Sequence, residues 1–151
     1  MSNVVATGFA DVRTKGMRLA IAAVVATVVL EMMMRFGAPN MLGIPPMSPA
    51  DLVTNIVGLP PGHIVGAVVH FGLGLIGFPL GYMILAYRHF PGPQLVRGAL
   101  WGVLLWLVAM VVVVPLAGMP FFFGFGMPMM AAMVAHVVYG VILAAIVGKP
   151  A

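Results

Sequence analysis

Four apolar stretches dominate the chain, and each one is long enough to cross a lipid bilayer as a helix. A hydrocarbon core of about 30 Å requires about 20 apolar residues in helical conformation. The stretches that meet this requirement cover residues 17–36, 62–86, 97–118 and 128–148. The pattern therefore predicts an all-α integral membrane protein, with a cytoplasmic N-terminal segment over 1–16 and one four-transmembrane-helix bundle over 17–148.

The composition agrees with a lipid environment. Hydrophobic residues make up 63% of the chain and charged residues 7%, whereas soluble domains carry about 25% charged residues. The basic residues stand singly at loop ends, which does not indicate nucleic acid as a partner. The chain has no cysteine, and this excludes disulfides, thiolate metal sites and iron–sulfur clusters built from its own residues.

The distribution of basic residues predicts the orientation in the membrane. Six of the seven lysines and arginines fall on one side of the four spans, namely Arg13, Lys15, Arg18, Arg88, Arg97 and Lys149. Positive residues favour the cytoplasmic side. We therefore expect both termini in the cytoplasm, the protein in the cytoplasmic (inner) membrane, and outer loops at about 37–61 and 119–127.

The two outer loops carry different signals. In the first, Ser48, Pro49 and Asp51 are typical of a helix start, and they predict a short interfacial helix over about 49–57. The second is rich in phenylalanine between Met119 and Pro128. It is interpreted either as an interfacial aromatic belt or as a gate or docking surface for a larger partner.

Small residues at spacings of four predict the inner faces of the helices, because close helix packing in lipid depends on glycine and alanine. The polar residues lie on the same faces, which places Glu31, His70 and His136 inside the bundle and not against lipid. Pro79 is expected to kink the second span, and Pro115 to bend or end the third. The predicted seams are Ala23, Thr27, Glu31 and Arg35; Gly62, Gly66, His70 and Gly74; Gly98, Gly102 and Trp106; and Ala132, His136, Gly140, Ala144 and Gly148.

Counting residues from the outer ends places His70 and His136 at a similar depth, roughly 12 to 14 Å below the outer surface. Glu31, His63 and Tyr139 fall on the same faces within two turns. These five residues form a predicted buried polar column in the outer half of the bundle.

Three interpretations of the column stay open. The histidines can be structural and fix helix register through hydrogen bonds. Alternatively, His70 and His136 can ligate a b-type haem from facing helices. A third interpretation is a copper site or a proton path, with Met129 and Met133 beside the histidines as soft ligands. Neither haem nor copper is favoured, and the cofactor stays unknown.

Several motifs resemble a known family. A His-Phe pair opens the second span in HFGLGLIGFPLGYMILAY, a Gly-x-x-x-Gly-x-x-x-Trp pattern and a Pro-x-x-Gly-Met turn occur in GPQLVRGALWGVLLWLVAMVVVVPLAGMPFF, and His-x-x-Tyr-Gly occurs in AHVVYGVILA. Over roughly 15–148 the chain resembles small four-helix bacterial and archaeal membrane proteins of a family of unknown function. The resemblance implies an accessory membrane protein, since some members are encoded near respiratory oxidase components. It marks His70, Phe71, Trp106, Pro115, Gly118, Met119, His136, Tyr139 and Gly140.

Taken together, these patterns favour a small accessory or assembly subunit without catalysis of its own. Its expected partners are membrane lipid and a larger membrane complex or further copies of itself. The main alternative is a haem- or copper-binding membrane protein that uses His70 and His136. A second alternative is the protomer of an oligomeric transporter or proton channel. An enzyme is not expected, because Glu31 has no second acid or nucleophile near it in sequence, and Asp11 and Asp51 lie outside the spans.

Overall fold

The structure is a computed structural model, and it describes residues 2–150. These residues form helices and no strand. The two short elements are α2 (Pro49–Ile56) and a 3₁₀ segment, here called the phenylalanine turn (Phe121–Phe125). The long helices, with their α-helical and π-helical parts in order, are α1 (Ser2–Met32, Met33–Gly37 and Ala38–Leu42), α3 (Ile64–Gly72, Leu73–Gly77, Phe78–Gly81 and Tyr82–Ala86), α4 (Gln94–Val108, Ala109–Val113 and Val114–Leu116) and α5 (Met127–Val147).

Four helices, α1, α3, α4 and α5, are long and apolar enough to cross a membrane. This confirms the predicted all-α fold with four spans. The first helix is longer than its predicted span, because it also includes the described part of the N-terminal segment. The 40 residues Asn3–Leu42 of this helix correspond to a length of about 60 Å, twice the thickness of a hydrocarbon core, so one end extends beyond the lipid tails.

Prolines explain three of the π-helical turns in the long helices. The turns end at Gly37, Gly77 and Val113, and a proline follows two residues later in each case, at Pro39, Pro79 and Pro115. Proline has no N–H, and its ring collides with the carbonyl of the preceding turn. Widening that turn to π-helical geometry relieves the collision, so α3 continues past Pro79 to Ala86. The third span ends at Leu116, directly after Pro115, in agreement with the prediction that this proline bends or ends it.

Helices α4 and α5 approach each other most closely through glycine. A Cβ atom on Gly98 would collide with the carbonyl of Gly140, and one on Gly102 would collide with the backbone of His136 and Val137. The predicted small-residue seams of these two helices therefore do face each other. The seam of α3 is divided, because Gly74 faces Thr27 of α1 whereas Gly66 faces Ala50 of α2.

The short helix α2 packs onto the beginning of α3. Its Thr54 is fully buried against Gly66. Asp51 Oδ1 accepts a hydrogen bond from the backbone N–H of Gly62 at 2.7 Å. These contacts hold α2 as a cover over one side of the bundle.

The end of the bundle at which α1 begins and α5 ends, here called the terminal end, is tightly packed. Tyr82, Tyr87 and Trp101 are buried there, and Gln94 Nε2 donates to the hydroxyl of Tyr82 at 3.0 Å. The guanidinium of Arg88 contacts the carboxylate of Asp11 at 2.7 Å. The opposite end, here called the loop end, contains α2 and the phenylalanine turn, and it is there that the packing opens.

Candidate functional site

The bundle contains a cavity of about 360 Å³ at the loop end. All four long helices contribute to its wall, α2 covers it through Leu52, Val53 and Ile56, and Phe123 of the phenylalanine turn closes one corner. The wall is almost entirely apolar. Its few polar side chains are His70, His136, Tyr139 and Thr27. A concave apolar site with a few convergent polar groups is the usual form of a small-molecule binding site.

Each proline-linked π turn contributes to this cavity. Met34 comes from the turn in α1, Gly74 from the turn in α3, and Met110 from the turn in α4. A π turn bulges outward from the regular helix, and such bulges are frequent at functional sites. Residues from three wide helical turns therefore line the cavity.

A π turn before proline also releases a backbone carbonyl. In α3 the N–H of Phe78 donates to the carbonyl of Leu73, and the next nitrogen, that of Pro79, carries no hydrogen. The carbonyl of Gly74 is thus left without a helical partner. The hydroxyl of Tyr139 on α5 donates to this oxygen at 2.6 Å, which links α5 to α3 at the cavity wall.

One wall of the cavity is backed by an ion-pair chain. Arg35 Nε donates to Glu31 Oε2 at 2.8 Å, and His70 Nε2 lies 2.6 Å from Glu31 Oε1. Glu31 is buried, whereas about half of the Arg35 side chain is exposed at the loop end. The contact brings Nε2 of His70 to the carboxylate at ion-pair distance, but it does not meet the geometry of a hydrogen bond.

His136 contributes from the facing helix. Its Nδ1 lies 2.7 Å from the carbonyl oxygen of Ala132, one turn earlier in α5. A carbonyl oxygen can only accept, so Nδ1 is the protonated nitrogen and Nε2 keeps its lone pair. His70 and His136 line the same cavity, and Nε2 of His136 is free to accept a hydrogen bond there.

The other predicted site residues lie elsewhere. His63 precedes α3, where its Nδ1 accepts from the N–H of Val65 at 3.2 Å, so it serves as the helix cap and does not line the cavity. Met129 and Met133 are half-buried on α5, away from the lining residues. Within residues 2–150 no three His, Asp or Glu side chains come together as a metal site. The methionines at the cavity are Met34, Met47 and Met110 instead.

The phenylalanine turn has a strained backbone. Phe122, Phe123 and Phe125 have φ angles of 51°, 50° and 59°, in the left-handed region that favours glycine. The ring of Phe122 packs edge-on against Trp106 at 5.5 Å and stacks on Phe125 at the same distance. Trp106 in turn donates from Nε1 to the carbonyl of Met129 at 3.2 Å. These contacts hold Phe123 at the cavity and leave Phe125 71% exposed.

The fold and the cavity define a class: a multi-pass helical membrane protein with an internal apolar site. Within that class, the chain belongs to the DUF6789 family, a family of unknown function whose model matches residues 14–150. This confirms the predicted membership of an uncharacterised family. No curated protein and no solved structure matches the chain.

Proposed function

We propose that the protein holds an apolar small molecule inside its membrane bundle and performs no catalysis of its own. The observation that supports this function is the cavity of about 360 Å³ between the four long helices. Its apolar wall suits a molecule that dissolves in the membrane, and its two histidines give that molecule a fixed orientation. The closely packed terminal end, with Tyr82 and Trp101 buried, limits the ligand to the loop end.

An organic ligand agrees better with the cavity than the two cofactors considered from the sequence. Axial ligation of haem by Nε2 of His70 would break its 2.6 Å contact with Glu31 and disturb a buried ion-pair chain. A copper site that combines His136 with Met129 and Met133 is less favoured, because the cavity is lined by other methionines.

Native mass spectrometry of the protein released from lipid nanodiscs tests the proposal. We expect the parent chain to carry a co-purified apolar molecule of defined mass. The substitution Ala109→Phe places a ring in the cavity and should remove the adduct, because Ala109 lines the wall. The matched control Val112→Phe adds the same ring to the lipid-facing side of the same helix and should keep it. A parent chain that carries no adduct, or an adduct unaffected by Ala109→Phe, would contradict the proposal.

The orientation of the protein in the membrane is part of the proposal. The loop end faces the outside of the cytoplasmic membrane if the positive-inside rule holds, since Asp11, Arg88 and the basic residues around them lie at the terminal end. A ligand would then enter from the outer leaflet beside α2.

An accessory role in a larger membrane complex is a second candidate, and the phenylalanine turn favours it. Phe125 is exposed, and the turn is held in a strained conformation; such strain is typical of sites with a role. A photocrosslinking amino acid at position 125 should capture a defined membrane protein in intact cells, whereas the same probe at Val112 should capture lipid. Equal capture at both positions would argue against this role. An oligomeric transporter is a third candidate, and it would require the packed terminal end to open.

A further inference from the structure

Two hydrogen-bond donors at the cavity wall are already used within the protein. The hydroxyl of Tyr139 donates to the carbonyl of Gly74, and the Nδ1 proton of His136 is used by the carbonyl of Ala132. Nε2 of His70 lies against Glu31 Oε1 at 2.6 Å. The hydroxyl of Thr27 has no hydrogen-bond partner within residues 2–150 and can both donate and accept, so it gives no preference.

An acceptor at the same wall remains available. Nε2 of His136 keeps its lone pair, because Nδ1 holds the ring proton. His136 lines the cavity, so this lone pair is the acceptor that the wall offers to a ligand.

The π turn of α4 leaves one backbone carbonyl without a helical partner. The N–H of Val114 donates to the carbonyl of Ala109, and the next nitrogen belongs to Pro115. The carbonyl of Met110 therefore loses both its α-helical and its π-helical partner, as the carbonyl of Gly74 does in α3. Gly74 receives a hydroxyl from Tyr139, whereas Met110 lies at the cavity wall.

We infer that the ligand of this cavity is an apolar molecule that bears a hydroxyl group, such as a long-chain alcohol or an alkylphenol, and that donates a hydrogen bond to His136. This inference rests on the proposed function and specifies its ligand class. A ketone, ester or ether of the same shape has no proton to donate to Nε2 of His136. The hydroxyl compound gains a hydrogen bond in a site shielded from water, and its analogue leaves the acceptor buried and unsatisfied.

A matched pair of probes tests the inference. 4-Hexylphenol and 4-hexylanisole share one skeleton and differ in the hydroxyl hydrogen, which a methyl group replaces in the anisole. Binding of each is measured on the parent chain in nanodiscs, and partition into empty nanodiscs is subtracted. We expect the phenol to bind at least about tenfold more tightly, the scale of one buried hydrogen bond.

Two variants locate the effect. The substitution His136→Phe removes the acceptor and should bring the two affinities within about threefold of each other, mainly through weaker binding of the phenol. The substitution His63→Phe changes a histidine outside the cavity and should preserve the preference. Because the two probes are first compared on the parent chain, the inference remains testable even if a variant does not fold.

The outcomes separate the inference from the proposed function. Saturable binding of both probes with equal affinity, or tighter binding of the anisole, would overturn the inference and keep the cavity as an apolar binding site. A preference for the phenol that persists in His136→Phe would overturn the role of His136. Binding of neither probe above the empty nanodiscs would overturn the proposed function together with the inference.

Discussion

At the scale of single residues, Tyr139 and Pro79 depend on each other across two helices. Pro79 removes the N–H that would otherwise pair with the carbonyl of Gly74, and Tyr139 supplies a hydroxyl in its place at 2.6 Å. In a lipid environment no water compensates for a missing partner, so a proline in a spanning helix requires such a donor. The pair is a local reason why α3 and α5 have a fixed register.

A double-mutant cycle tests this dependence. We expect Tyr139→Phe to lower the free energy of unfolding by about 1 kcal/mol, because the carbonyl of Gly74 loses its partner. Pro79→Ala restores an N–H at position 79. In the protein that carries this alanine, Tyr139→Phe should therefore lower the free energy of unfolding by less than about half as much as it does in the parent chain. Denaturant titration in mixed micelles gives both values.

The control for this cycle is Tyr87→Phe. The hydroxyl of Tyr87 is buried, and no hydrogen-bond partner for it is found within residues 2–150. Its removal should therefore cost little or nothing. An equal cost of Tyr139→Phe with proline or alanine at position 79 would show that the hydroxyl does not replace the missing N–H.

Part of the site could be predicted at this scale. The four-residue spacing of Glu31 and Arg35 and the equal depth of His70 and His136 both follow from helix geometry, and these residues do meet at or beside the cavity. The role of Gly74 was not predicted, because a backbone carbonyl has no signature in sequence. The proline five residues later was the available signal.

At the scale of elements, the contact between α4 and α5 depends on glycine at Gly98, Gly102 and Gly140. A Cβ atom added at any of these three positions would collide with the backbone of the other helix. Backbone atoms cannot move aside as a flexible side chain does. The close contact also fixes His136, whose carbonyl lies against Gly102, and thereby sets the position of one cavity wall.

Substitution of Gly102 by alanine tests the importance of this contact. Overpacking against backbone should lower the free energy of unfolding by about 1 to 3 kcal/mol. Gly72→Ala is the matched control, because a Cβ atom at Gly72 meets no atom within 4 Å, and alanine is the better helix former. Thermal unfolding of the two variants in the same detergent compares them. Equal unfolding midpoints for Gly102→Ala and Gly72→Ala would mean that α4 and α5 are less closely packed than described.

The seam residues of α4 and α5 were predictable because small residues at a spacing of four mark a helix contact in lipid. The contact that Gly66 makes was not predictable in this way. The spacing of Gly66 fits a seam toward a long helix, yet its neighbour is α2, a short helix that the sequence predicted to lie at the membrane interface. Sequence spacing shows that a glycine is approached closely, and it does not show by which element.

At the scale of the whole molecule, the four spans follow from length and hydrophobicity alone, and the helices confirm them. The cavity does not follow from these properties. It is lined by residues from three π turns, and a short helix and a strained turn cover it. Such an arrangement is a product of tertiary packing, which local sequence patterns do not encode.

The orientation is testable on the whole chain. Reporter fusions at residue 50, in α2, and after residue 151 should report opposite sides of the membrane, with the end of the chain in the cytoplasm. The physical reason is the group of basic residues at the terminal end. The same side for both fusions would require a different number of spans in lipid.

Saturable binding of 4-hexylphenol to the purified protein in nanodiscs tests the central claim most directly. The parent chain should bind one molecule per chain, and Val112→Phe should match it, because its new ring faces lipid. Ala109→Phe should weaken binding by at least about tenfold, since the new ring occupies the cavity. Uptake that rises linearly with concentration and is identical in all three proteins would contradict the account, because it would show partition into lipid and no internal site.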